Sequence, residues 1–86
     1  MSARVLVVDD HFATRLGLSM PINNEKGMKV VAEASTGARA IELYREHRPD
    51  VVLLDGRLPG LKGAETLAKL RREFPDARVL MLSIDE

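Results

Sequence analysis

Four short aliphatic runs divide this chain: RVLVV at residues 4–8, MKVVAEA at 28–34, DVVLLD at 50–55 and RVLML at 78–82. Runs of this length with β-branched centres read as strands, and because the apolar residues are continuous rather than alternating, the strands are expected to be covered on both faces. The segments between them carry helical spacing. Phe12, Leu16 and Met20 recur at i, i+4 and i+8 until Pro21, which removes a backbone donor and is expected to stop or kink a short first helix. After a polar loop at 23–27 and the second strand, Thr36 can cap a helix in which Ala40, Ile41 and Tyr44 share a face and which stops near Pro49. A turn at 60–63 leads into a third stripe, Ala64, Leu67, Leu70 and Phe74, ended by Pro75. The order is β-α-β-α-β-α-β with short connections, which predicts a doubly wound α/β fold with a parallel sheet and helices on both faces.

Composition narrows what such a fold can do. The 86 residues allow one domain, and a chain this short buries only about 60–65% of its unfolded surface. Thirteen basic and thirteen acidic residues cancel, and one Tyr, two Phe and no Trp leave few stacking platforms, so direct nucleic-acid binding is not expected. Without Cys there is neither a disulfide scaffold nor a thiolate metal site. The aliphatic runs are far shorter than the roughly 20 residues that span a bilayer, and the start of the chain is no signal peptide, so no membrane association and a cytoplasmic location are expected.

The chemistry concentrates at strand ends. Ligands of open parallel sheets bind beyond the carboxyl ends of the strands, where strand order reverses, and Asp9, Asp10, Asp55 and Ser83 all fall at such ends. If the first and third strands are neighbours, three carboxylates converge and repel one another unless a proton or cation intervenes. Oxygen ligands of this kind suit Mg²⁺ together with phosphate oxygens. A single Asp after a strand is ordinarily a turn or cap residue; three on neighbouring ends are harder to read that way. His11 and His47 are read as unconnected surface histidines, the 60–63 loop as a turn without the Lys of a phosphate cradle, and Leu67, Leu70 and Phe74 as core.

VVDD at residues 7–10, VVLLD at 51–55, LPG at 58–60 followed by Gly63, and a strand ending at Ser83 resemble the receiver domain of bacterial two-component response regulators. DDH followed by RLGL at 15–18, VVAEASTG at 30–37 and LRREFPDARVLMLS at 70–83 resemble the NarL/FixJ-type class, whose members carry a LuxR-type helix-turn-helix behind the receiver. The resemblance implies a flavodoxin-like sheet of order 2-1-3-4. It makes Asp55 the phosphoacceptor and Ser83 the switch hydroxyl. Asp9, Asp10, Asp55 and the backbone carbonyl of Arg57 would hold Mg²⁺, and a sensor histidine kinase would donate the phosphoryl group.

Two residues depart from the family pattern: Gly56 stands where a branched aliphatic is usual, and Ile84 where a small residue is usual. A full receiver continues with a fourth helix, a fifth strand and a fifth helix, which carry its phosphate-binding Lys, its aromatic switch and most of its output surface. Residues 1–86 are therefore expected to form a partial receiver domain without an effector domain. Lys62 is the nearby candidate to replace the missing Lys and reads as a solvated loop residue. An uncovered fourth strand is expected to self-associate by pairing residues 78–82 across a two-fold axis. Two other readings stay open: a receiver fragment that takes no phosphate and acts as an interaction module, and a phosphohydrolase, which would need an acid/base where Arg57 stands.

Overall fold

In a computed structural model, residues 2–58 and 62–82 are described. Seven elements alternate along the chain: β1 (Ala3–Val8), α1 (Phe12–Asn24), β2 (Met28–Ala34), α2 (Gly37–His47), β3 (Val51–Asp55), α3 (Gly63–Glu73) and β4 (Val79–Leu82). The four strands form one parallel sheet in the order β2-β1-β3-β4. This is the flavodoxin-like, doubly wound arrangement expected from the sequence. Its order reverses at β1, so the chain leaves β1 to one side for β2 and returns to the other for β3.

Side-chain alternation splits the sheet into two faces. Leu6 and Val8 of β1 and Val52 and Leu54 of β3 are fully buried in one cluster with Ala40, Leu43 and Tyr44 of α2 and with Leu70 and Phe74 at α3. The Tyr44 and Phe74 rings lie 4.6 Å apart at 39°, a tilted contact that ties α2 to α3 through the core. Val5 and Val7 are also buried but stand outside that cluster, on the face that α1 covers through its contacts with β1 and β2. β1 is thus sealed on both sides, the environment that its unbroken apolar run requires.

Turn chemistry sets the helix boundaries. Thr36 caps α2 by accepting a hydrogen bond from Arg39 N at 3.1 Å, and Arg48 ends it in the left-handed region at φ 47°, with its N–H donating to Tyr44 O. Pro49 follows, as read from the sequence. α3 starts at Gly63; Glu65 Oε1 accepts from Lys62 N at 2.9 Å, which satisfies one of the free donors at the helix start.

α1 departs from expectation in two respects. It runs on to Asn24, three residues past Pro21, and Pro21 itself is exposed. Its Phe12, Leu16 and Met20 do not face the sheet: they are 67%, 43% and 56% exposed. The inward residues are Arg15, Leu18, Ser19 and Ile22, which keep the i, i+3, i+4, i+7 spacing of a helix face. Ala64, read as part of the α3 stripe, is also exposed, while Leu67, Leu70 and Phe74 pack as expected.

Candidate functional site

The acidic residues sit where the two central strands end. Val8 of β1 and Leu54 of β3 are register partners, so Asp9 and Asp55, one residue further on, leave the sheet side by side. Both are buried, at 4% exposure. Burial of ordinary carboxylates is costly unless hydrogen bonds or a cation compensate, and each is partly held by its own loop. Asp9 Oδ1 accepts from His11 N at 2.8 Å and Asp55 Oδ1 from Arg57 N at 2.9 Å, both of them Asx turns. Each turn uses one oxygen to orient the carboxylate and bends the chain away from the strand.

Asp10 is less buried, yet its Oδ1 is closed off from solvent and accepts no hydrogen bond. His11 Nδ1 lies 3.0 Å from that oxygen and 3.6 Å from Asp9 Oδ1, but the contact to Asp10 lacks hydrogen-bond geometry. Asp9, Asp10 and His11 offer ligand atoms within 4.8 Å of one another, whereas Asp55 is not a member of that tight group. Among the described residues, no Lys or Arg forms an ion pair with any of the three aspartates. An orphaned oxygen beside two buried carboxylates, none of them ion-paired to a Lys or Arg among the described residues, fits a small hard cation that prefers oxygen ligands. His11, three-quarters exposed at its side chain, was read from the sequence as unconnected; it belongs to this cluster.

The loop after Asp55 is closed at its far end by Gly63. A Cβ on Gly63 would lie 2.6 Å from Gly56 Cα and 2.7 Å from Asp55 O, so the start of α3 rests directly on the backbone that carries Asp55. A turn at this glycine was legible from the residues, but the contact was not. Gly56 is different: a Cβ there would meet Met81 Cε at 3.7 Å, an ordinary distance. Lys62 is exposed and is the residue before α3. Leu58 is buried in the core cluster. Ser83 and the Pro59-Gly60 part of the LPG turn lie outside the described residues.

A polar network on the α1 side was also not foreseen. Arg15 Nη1 donates to the carbonyl oxygen of Asp9 at 2.8 Å, its Nε lies 3.3 Å from Glu33 Oε1 on β2, and Ser19 Oγ donates to Glu33 Oε2 at 3.0 Å. The 15, 18, 19, 22 spacing was the available signal for it. Elsewhere, Arg45 of α2 holds Glu73 of α3 through two hydrogen bonds of 2.7 and 2.8 Å. That contact pushes the Glu73 carboxyl below its usual range and the Arg45 guanidinium above its own. The groove beside it, about 360 Å³ and lined by Ile41, Arg45, Lys69, Arg72 and Glu73, lies between α2 and α3 and includes none of the aspartates.

Known proteins share both this sequence and this geometry. The family profile of the response regulator receiver domain matches residues 5–86. Response regulator GacA of Pseudomonas aeruginosa is 41% identical over 83 residues, which cover 96% of this chain and 39% of that protein. The chain therefore spans about two fifths of the length of such curated relatives. The crystal structure of a LuxR-family two-component response regulator from Aurantimonas superposes with a TM-score of 0.94 at 38% identity, covering all of this chain and 61% of that one. A chain of the CheX–CheY–BeF3–Mg²⁺ complex of Borrelia burgdorferi matches with a TM-score of 0.85 at 32% identity, over 93% of this chain and 60% of that one. On the strand order, the carboxylates at the strand ends and these matches, the chain belongs to the response regulator receiver domain family, the phosphoacceptor module of two-component signalling.

Proposed function

We propose that Asp55 is the phosphoacceptor of this receiver and that Asp9, Asp10, Asp55 and the Arg57 backbone carbonyl hold Mg²⁺. The observation that carries the reading is the pairing of a buried Asp55 at the end of β3 with a neighbouring acidic pair whose Asp10 Oδ1 has no hydrogen-bond donor. The Borrelia complex, which contains BeF3 and Mg²⁺, supports it by analogy. When bound, the cation neutralises charge on the transferring phosphoryl group. The chain's own residues supply the rest. The Arg57 N–H fixes Asp55 Oδ1, which leaves Oδ2 to attack phosphorus in line. The bond from phosphorus to the donor breaks, its electron pair leaves with the donor, and Asp55 carries an acyl phosphate.

The donor in this reading is the phosphohistidine of a sensor histidine kinase. The chain acts as an acceptor rather than a multiple-turnover enzyme, and its phosphorylation regulates transcription through a DNA-binding effector. Ser83 is the hydroxyl that turns toward the phosphate. No helix among the described residues is long and apolar enough to cross a membrane; a cytoplasmic site of action is part of the proposal. Self-association through β4 also belongs to it. Among the described residues β4 is the edge of the sheet, and its Leu80 is 57% exposed, the kind of edge that recruits a further strand. Light scattering at high concentration checks this, and a monomer would refute it.

The phosphoacceptor reading is tested by incubating the chain with Mg²⁺ and a small-molecule acyl phosphate and measuring its intact mass. One added phosphoryl group, absent from Asp55→Asn and from the sample without Mg²⁺, is expected. An unchanged mass would overturn it and favour a module that acts by interaction alone.

A further inference from the structure

Arg15 is the cation nearest the acidic site by hydrogen bonding, yet it touches no aspartate side chain. Its side chain is only 17% exposed, unusual for an arginine on a one-helix face of a small domain. It spans three elements: it rises from α1, pairs with Glu33 on β2 and donates to the carbonyl oxygen of Asp9 at the end of β1. Glu33 is held in turn by Ser19, the one buried residue of α1. The guanidinium is therefore fixed from one side and used on the other.

The acceptor matters because of peptide geometry. The Asp9 carbonyl and the Asp10 N–H belong to one rigid plane, so a bond to that carbonyl sets the direction in which the next residue projects. Asp9 is already pinned twice, by its N–H to Ala34 O at 3.0 Å and by Oδ1 to the His11 N–H. The Arg15 bond supplies the third constraint and the one that bears on Asp10. The Asp10 carboxylate itself is held by no hydrogen bond at Oδ1; its one printed side-chain neighbour is the largely exposed His11, whose Nδ1 lies 3.0 Å away.

We propose that Arg15, braced by Glu33 and Ser19, is a positioning residue for the cation site: it locks the Asp9–Asp10 peptide plane and so sets the direction of the Asp10 carboxylate. The inference rests on the Mg²⁺ reading above. It opposes what charge alone would do. A cation beside three carboxylates weakens their hold on a metal, so removing its charge should tighten Mg²⁺ binding. Loss of positioning should loosen it. The sign of the change separates the two.

The test is a Mg²⁺ titration followed by backbone amide chemical shifts, for the unaltered chain, Arg15→Met and Arg15→Lys, with thermal unfolding of each alongside. Arg15→Met is expected to weaken Mg²⁺ binding by about 10–100-fold, the usual effect of removing a group that orients a metal ligand. Arg15→Lys keeps the charge but not the forked contact to Asp9 and Glu33; a smaller loss in the same direction is expected, and it decides the matter if Arg15→Met does not fold. Affinity equal to or tighter than that of the unaltered chain would overturn the assignment. No Mg²⁺-dependent shift in the unaltered chain would overturn the metal reading itself, and this assignment with it.

Discussion

Replacing Gly63 by Ala adds a single methyl group, and the structure says where it goes. The new Cβ would stand 2.6 Å from Gly56 Cα, 2.7 Å from Asp55 O and 3.0 Å from Gly56 C. Optimal carbon contacts are about 3.5–4.0 Å, so α3 and the end of β3 must separate by about 1 Å. All three opposing atoms are backbone and cannot rotate away. Overpacking of this kind costs about 1–3 kcal/mol. Against it stands the helix preference of Ala over Gly, about 1 kcal/mol in a helix interior and less at the first helical residue, where Gly63 lies. The clash wins, and a net loss of about 1–2 kcal/mol is expected, equivalent to about 5–15 °C in melting temperature for a domain of this size. Urea unfolding followed by circular dichroism measures it. Gly56→Ala is the internal control: its Cβ meets only Met81 Cε at 3.7 Å and Leu82 O at 4.0 Å, and the lost freedom of the unfolded chain should leave it neutral or about 0.4–1 kcal/mol more stable. Equal stability of Gly63→Ala and the unaltered chain would refute the reasoning, because it would mean that α3 does not rest on Asp55.

Three further outcomes follow from the packing. Leu70→Ala removes a fully buried side chain from the cluster shared by β1, β3, α2 and α3; a loss of about 2–5 kcal/mol is expected in urea titrations, a large part of the total for so small a domain. Thr36→Ala removes the acceptor for Arg39 N and should cost about 0.5–2 kcal/mol, most of which Thr36→Ser restores. Glu73 has its carboxyl held below the usual range, first by the hydrogen bond from Arg45. A lowered folded value means that the pair contributes above the unfolded value and is lost as pH falls through the folded one. The acid-side decline of melting temperature should therefore be shallower for Glu73→Gln, and added salt should narrow the difference; identical pH profiles would show that the pair contributes nothing.

Much of this architecture was legible in the residues. β2 occupies the run read for it, and β1, β3 and β4 fall within one residue of theirs, because short β-branched aliphatic runs mark strands; the expected cover on both faces is met at β1, whereas β2 and β4, the outer strands among the described residues, stay partly exposed. Pro49 and Pro75 marked the ends of α2 and α3 for the same local reason in both cases: each denies the next turn a backbone donor. The acidic site was legible through register, since adjacency of β1 and β3 brings Asp9 and Asp55 together once both strands are placed.

What escaped the sequence was decided by contacts between distant residues. The apolar spacing of Phe12, Leu16 and Met20 suggested the inward face of α1, but the inward face carries Arg15 and Ser19, which reach Glu33 of β2, and hydrophobic periodicity has no term for a polar network between a helix and a strand. Pro21 was expected to stop or kink the helix, and α1 runs through it to Asn24. The proline sits on the exposed side, and the residue four before it, which loses its intrahelical donor, is Gly17, where a Cβ would meet nothing within 4 Å. Gly63 looked like an ordinary turn glycine because the atoms that exclude a side chain belong to residues 55 and 56, and only the folded chain brings them there.

The central claim is that one particular carboxylate takes the phosphoryl group while its neighbours hold the cation. Borohydride reduction after treatment with Mg²⁺ and an acyl phosphate converts an aspartyl phosphate to homoserine, which peptide mass mapping then locates. The account predicts homoserine at position 55 and unmodified aspartate at positions 9 and 10. Homoserine at Asp9 or Asp10, or at none of the three, would contradict it.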